Sequence, residues 1–130
     1  MTKEEILSIR NDCECLQTRS RARKLTQAYD EIMAPSGLRI TQFSAVSVLL
    51  AGDLTINELS TAIDIDRTTL TRNLVSLERD GFVTIASGDD ARKRVVSLTG
   101  RGTMAAQKAY ELWKKAQAMY AQKPVGTLAH

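Results

Sequence analysis

The stretch Arg67 to Gly81, RTTLTRNLVSLERDG, reads as a helix, yet it opens on Thr68, Thr69 and Thr71, which are mediocre helix formers. With Leu70 at zero and about 100° per residue, Leu70, Leu74 and Leu77 cluster within about 60° and make an inward face. Thr68, Arg72, Val75 and Arg79 fall on the opposite side, so the hydroxyls and guanidinium groups point outward. Asp66 stands where an N-cap is expected, and Gly81 where a left-handed residue closes a helix.

Immediately upstream, TINELSTAI carries Thr55 and Glu58 at the S/T-x-x-E spacing of a capping box, with Ile56, Leu59 and Ile63 as an inner face. The short DID turn joins the two helices. In such a helix-turn-helix pair the second helix sets its N-terminal residues against base edges in the major groove. Arginine can pair with guanine through two hydrogen bonds, and threonine offers a hydroxyl and a methyl for phosphate or thymine. Arg67, Thr68, Thr69, Thr71 and Arg72 are therefore candidate DNA contacts; a solvated helix face is the competing reading.

Downstream, FVTIA (82–86) and RVVSL (94–98) read as strands of a hairpin with SGDDARK between them. Its tip places Arg92, Lys93 and Arg94 beside the helix pair. A basic loop there can follow phosphates or insert an arginine into a narrow minor groove. Asp90 is placed to orient Arg92 by a charge-assisted bond. A solubilising turn is the plain alternative.

A long helical stretch from about Glu4 to Met33 precedes this unit. If it is continuous, Cys15, Ala22, Leu25, Tyr29, Ile32 and Met33 share one broad face. Pro35 and Gly37 end it, and Thr41 is the expected N-cap of a short helix with Phe43, Val46 and Leu50 inward. Gly52-Asp53 is a turn. Thr99 should cap a last helix running to about Gln122, in which Ala105, Ala109, Leu112, Ala116 and Met119 form a seam flanked by Trp113 and Tyr120. The tail PVGTLAH reads as irregular.

Composition narrows the classes. The 130 residues suit one domain, and 18 basic against 15 acidic residues give a net charge of +3, compatible with nucleic acid. The cysteines, Cys13 and Cys15, are too close for a disulfide framework, and the single histidine is His130, which leaves no Cys/His metal site and no cofactor to expect. No Gly-rich phosphate loop or Ser-His-acid set is present, so an enzyme is not expected. The apolar runs are too short to span a bilayer and MTKEEILSIRNDCE lacks a signal peptide's apolar core, which points to a cytoplasmic protein.

The pieces TINELSTAIDIDRTTLTRNLVSLERDGFV, DDAR and VSLTGRG, with LTQAYDEIMAPSGLRITQFSAVSVL upstream, resemble the multiple-antibiotic-resistance regulator (MarR) family over nearly the whole chain. The resemblance implies a mainly α fold with a small β-hairpin wing. The winged helix-turn-helix would occupy about 39–100, and dimerisation helices about 4–34 and 100–122, in a single domain. It further implies a homodimeric regulator of transcription that binds double-stranded operator DNA, most often a repressor released by a small molecule or an oxidant. The family's wing arginine falls on Arg92 and the aspartate that steadies it on Asp90; its recognition-helix contacts fall on Thr68, Thr69, Thr71 and Arg72. A twofold dimer would present two reading helices about one DNA turn apart, so a near-palindromic operator is expected. Long flanking helices with apolar stripes also call for a covering surface.

Cys15 resembles the reactive cysteine of the peroxide-sensing branch, and Tyr29 matches one of the tyrosines that steady its thiolate. The other two tyrosine positions are Arg19 and Ile40 here. Cys13, two residues away on the same helix, would point about 160° from Cys15. Packing at a dimer interface and metal or metalloid binding across a dimer are the alternatives to redox sensing. The RSRARK run (19–24) suits a solvated or salt-bridged face, or an electropositive lining for an anionic effector. Against the regulator stands a protein of another class, a winged-helix protein-interaction module that does not bind DNA.

Overall fold

The computed structural model describes residues 1–86 and 93–121. Helices α1 (Lys3–Asp12) and α2 (Glu14–Met33) lead through a 3-10 turn at Ala34–Ser36 into α3 (Ile40–Leu49). Strand β1 (Leu54–Thr55) precedes α4 (Ile56–Ile63) and α5 (Arg67–Arg79); β2 (Val83–Ile85), β3 (Val95–Leu98) and α6 (Gly100–Tyr120) complete the order. The antiparallel sheet has the order β1-β3-β2, pairing Leu54 with Val96 and Val83 with Leu98. The expected two-stranded hairpin is thus a three-stranded sheet: β1 is a two-residue strand, too short to show a periodicity.

The core is built from the faces that alternate on these elements. Leu59 of α4, Leu70 and Leu77 of α5, Val46 of α3, and Val83 and Val96 of the sheet are fully enclosed. Met33, Leu38 and the small residues Ala105, Ala106, Ala109 and Ala116 continue it along α2 and α6. Alanines at that seam let α6 lie close to α2, where Tyr29 and Tyr120 meet at 5.7 Å between ring centroids. Tyr29 donates its hydroxyl to Gln117 Oε1.

Several expectations need correction. The first helix is not continuous: it breaks at Cys13, whose extended backbone (φ −67°, ψ 113°) separates α1 from α2. Thr41 is not the cap of α3; the helix begins two residues earlier, after Arg39, because Asp30 of α2 accepts the Ile40 N–H at 2.8 Å. That partner is remote in sequence, so local pattern could not supply it. Leu50 is half exposed and Leu49 takes the inward place. Ala22 faces solvent, and Met119 is 61% exposed instead of lying in the seam. Helix α6 is described to Tyr120, close to its expected end, and Gln122 lies outside the described residues.

Pro35 and Gly37 do end α2, with Gly37 left-handed at φ 81°. Thr99 caps α6 by accepting the Gly102 N–H at 3.0 Å while donating to Gly81 O at 2.6 Å. Gly102 has a steric reason: a Cβ there would stand 2.0 Å from the carbonyl oxygen of Phe82. The threonine and glycine of the LTGRG stretch therefore dock α6 onto the end of α5. No helix among the described residues is long and apolar enough to cross a membrane.

Candidate nucleic-acid interface

Helices α4 and α5 are each set by a side-chain N-cap, reciprocal at α4 and one-way at α5. The Thr55 hydroxyl accepts the Glu58 N–H at 3.1 Å, and Glu58 Oε1 accepts the Thr55 N–H at 2.9 Å. Asp64, at φ 46° and ψ 48°, makes the left-handed turn between them, a conformation short polar side chains tolerate better than most. Asp66 then caps α5, accepting the Thr69 N–H at 3.1 Å. These bonds hold both carboxyls below their ordinary values. For Asp66 the Thr69 hydroxyl is the larger cause and the Thr69 N–H the next; for Glu58 the Thr55 N–H comes first and the Thr55 hydroxyl second.

The outward face of α5 is as the leucine spacing predicts. Leu70, Leu74 and Leu77 are buried, while Thr68, Arg72, Val75 and Arg79 face solvent. Not all the candidate contacts are equally available. Thr69 donates its hydroxyl to Asp66 Oδ1, and Thr71 donates its own to the Arg67 carbonyl at 2.8 Å, so both serve the helix itself. Arg67 reaches back to α4, its Nη2 donating to Asn57 Oδ1 at 2.9 Å. Thr68 and Arg72 have no side-chain hydrogen bond among the described residues. They project from the first two turns with their donors unspent. Val75, 62% exposed, adds an apolar contact one turn further on.

Lys93 and Arg94 immediately precede β3 and are exposed, with the Arg94 carbonyl accepting the Ile56 N–H at 3.1 Å. That bond ties the wing's return strand to the first turn of α4. Asp90 and Arg92 lie outside the described residues. Two contributors went unread in the sequence. Asn57, two residues after the start of TINELS, is the partner of Arg67; Gln42 of α3 donates to Ser76 of α5 at 2.9 Å. Neither has a local signature. The Thr2–Glu5 capping box of α1 did have one, in the T-x-x-E spacing.

The cysteines do not form the arrangement expected of them. Cys15 is exposed and not on a packed apolar face, and Cys13 is partly buried at the joint between α1 and α2. Cys15 and Tyr29 share a side of α2, but fourteen residues put them about 21 Å apart along the axis. Burial, and then the neighbouring Tyr120, push the Tyr29 hydroxyl above the ordinary tyrosine value, and it is committed to Gln117. Within one chain Tyr29 cannot steady a thiolate at Cys15.

A groove of about 490 Å³ opens between α3, α4 and α6, lined by Phe43, Val48, Ile63, Tyr110 and Trp113 with Ser44 at its rim. Tyr110 stacks on Trp113 at 5.9 Å and 18°. Trp113 thus faces both the core and this groove.

Comparison with known proteins bears on this geometry. Residues 36–93 match the model of the MarR family. The uncharacterized HTH-type transcriptional regulator YwoH of Bacillus subtilis is 31% identical over 96 residues, spanning 73% of this chain and 67% of that protein. The M. tuberculosis transcriptional regulator MosR, solved in complex with DNA, is 45% identical over 87% of this chain and 84% of its own, with a TM-score of 0.77. A mutant of E. coli MarR complexed with operator DNA shares the fold at 22% identity, with a TM-score of 0.72 over 94% of this chain and 92% of that one.

Proposed function

We propose that this chain, which belongs to the MarR family of DNA-binding transcriptional regulators, acts as a homodimeric repressor that reads a near-palindromic operator with α5. The observation that carries the residue assignment is the division of labour on α5. Thr69, Thr71 and Arg67 are spent on local bonds, while Thr68 and Arg72 face outward with free donors. Arg72 is assigned to a guanine edge and Thr68 to a base or phosphate; Arg67, Lys93 and Arg94 are assigned to the backbone, and Arg92, oriented by Asp90, to the minor groove.

Homodimerisation is supported by α1, which buries none of its residues. Ile6, Leu7 and Ile9, with Leu16 of α2, are each roughly half exposed, an apolar surface that a second copy would cover. Selection from a randomised duplex library tests the reading. Wild type should enrich an inverted repeat; Arg72→Ala should relax one position of each half-site and cost about 1–3 kcal/mol there. Enrichment of the same motif with the same affinity by Arg72→Ala would overturn the assignment.

Release by a small apolar effector finds support in the groove beneath Trp113, which joins α4 of the helix-turn-helix to α6. Release by an oxidant rests on the exposure of Cys15 beside the α1–α2 joint. DNA binding before and after mild peroxide, in wild type and Cys15→Ser, separates the two. An equal response of both proteins removes Cys15 as the sensor.

A further inference from the structure

Glutamine is seldom enclosed, because a buried amide must satisfy both its donor and its acceptor to offset lost hydration. Gln42 in the first turn of α3 is only 5% exposed, and both ends of its amide are used, one to cap its own helix and one to reach α5. Oε1 accepts the Arg39 N–H at 2.9 Å, and Nε2 donates to Ser76 Oγ at 2.9 Å. Ser76 passes the bond on, donating to the Asn73 carbonyl at 3.1 Å inside α5. On the other side, the next backbone N–H, that of Ile40, is held by Asp30 of α2 at 2.8 Å. One polar path thus runs from α2, through the start of α3, into the middle of the helix that carries Thr68 and Arg72.

We infer that Gln42 is a positioning residue for DNA reading, fixing the rotation of α5 relative to the α2–α3 corner through Ser76. The inference rests on the reading of α5 as the base-reading helix. Besides the exposed Arg67–Asn57 bond to α4 at its N-terminus, the buried hold on α5 comes from Leu70, Leu74 and Leu77, and apolar packing is non-directional. A leucine or methionine at position 42 would fill the same space without setting an angle. Hydrogen bonds to bases tolerate only a few tenths of an ångström, so a small rotation of α5 moves Arg72 out of range while leaving phosphate attraction intact. Asn73, also buried, has an amide nitrogen with no partner among the described residues, so this face is not built for stability alone.

The test uses fluorescence anisotropy with two labelled duplexes, the sequence that wild type selects from a random library and a scrambled version. Gln42→Met, Ser76→Ala and their combination are compared with wild type, together with thermal midpoints. Each single variant should weaken binding to the selected duplex about tenfold and to the scrambled duplex less than about twofold. The double variant should be no worse than Gln42→Met, because both break one path. Equal losses on both duplexes, unchanged binding to the selected duplex, or additive losses would overturn the inference. If Gln42→Met does not fold, Ser76→Ala decides by the same criterion, since it removes only a partly buried hydroxyl. A wild type that fails to distinguish the duplexes counts instead against α5 as the reading helix.

Discussion

At the residue scale, Gly102 shows how a single missing side chain holds the winged unit to its flanking helix. The oxygen that a Cβ would strike belongs to the backbone of Phe82, and the carbonyl carbon follows at 3.0 Å, so no rotamer change relieves it. Gly102→Ala gains helix propensity but forces α6 away from the end of α5. A net loss of about 1–3 kcal/mol is expected in urea unfolding. Unchanged stability would mean that α6 is not docked this closely. Sequence alone showed the glycine and the threonine cap at Thr99, but not the Phe82 carbonyl, because that contact crosses from one element to another. Arg72 and Thr68 were legible for the opposite reason: their placement follows from helix period and from nothing remote.

At the scale of elements, α4 and α5 both depend on carboxylates in their caps. Hydrogen bonds from Thr69 hold Asp66, and those from Thr55 hold Glu58, below the ordinary carboxylate values. A group whose folded pKa is depressed contributes stability above its unfolded pKa and loses it as pH falls through the folded value. Thermal midpoints should therefore fall as the solution is taken below about pH 4. Asp66→Asn keeps a capping side chain without the titration, so its acid loss should be shallower than that of wild type. An identical acid profile would show that titration of Asp66 does not contribute to the acid loss of stability.

The same scale explains which elements were readable. The Thr55–Glu58 capping box, the Asp66 cap and Gly81 bounded α4 and α5 correctly, since caps are local signals. The start of α3 was misplaced because its N-terminus is satisfied by Asp30 of α2, and β1 was missed because two residues show no alternation. The break at Cys13 lies in a run with no proline or glycine; Gln17, donating to the Asn11 carbonyl at 3.0 Å, braces the joint from α2.

At the scale of the whole molecule, the exposed apolar residues of α1 and the start of α2 predict self-association. The protein should sediment at twice the 14.3 kDa chain mass at micromolar concentration. Ile6→Glu combined with Ile9→Glu should shift it towards monomer and weaken operator binding more than binding to a half-site. A monomeric wild type with full operator affinity would contradict the dimer. The measurement that bears most directly on DNA reading is anisotropy of the selected duplex across a salt series of about 50 to 200 mM. Wild type should lose affinity linearly in log–log form, and the Arg72→Ala, Arg92→Ala double variant should show a shallower slope and no preference over scrambled DNA. Salt-independent binding, or a double variant that keeps full affinity and preference, would contradict the assignment of α5 and the wing to DNA.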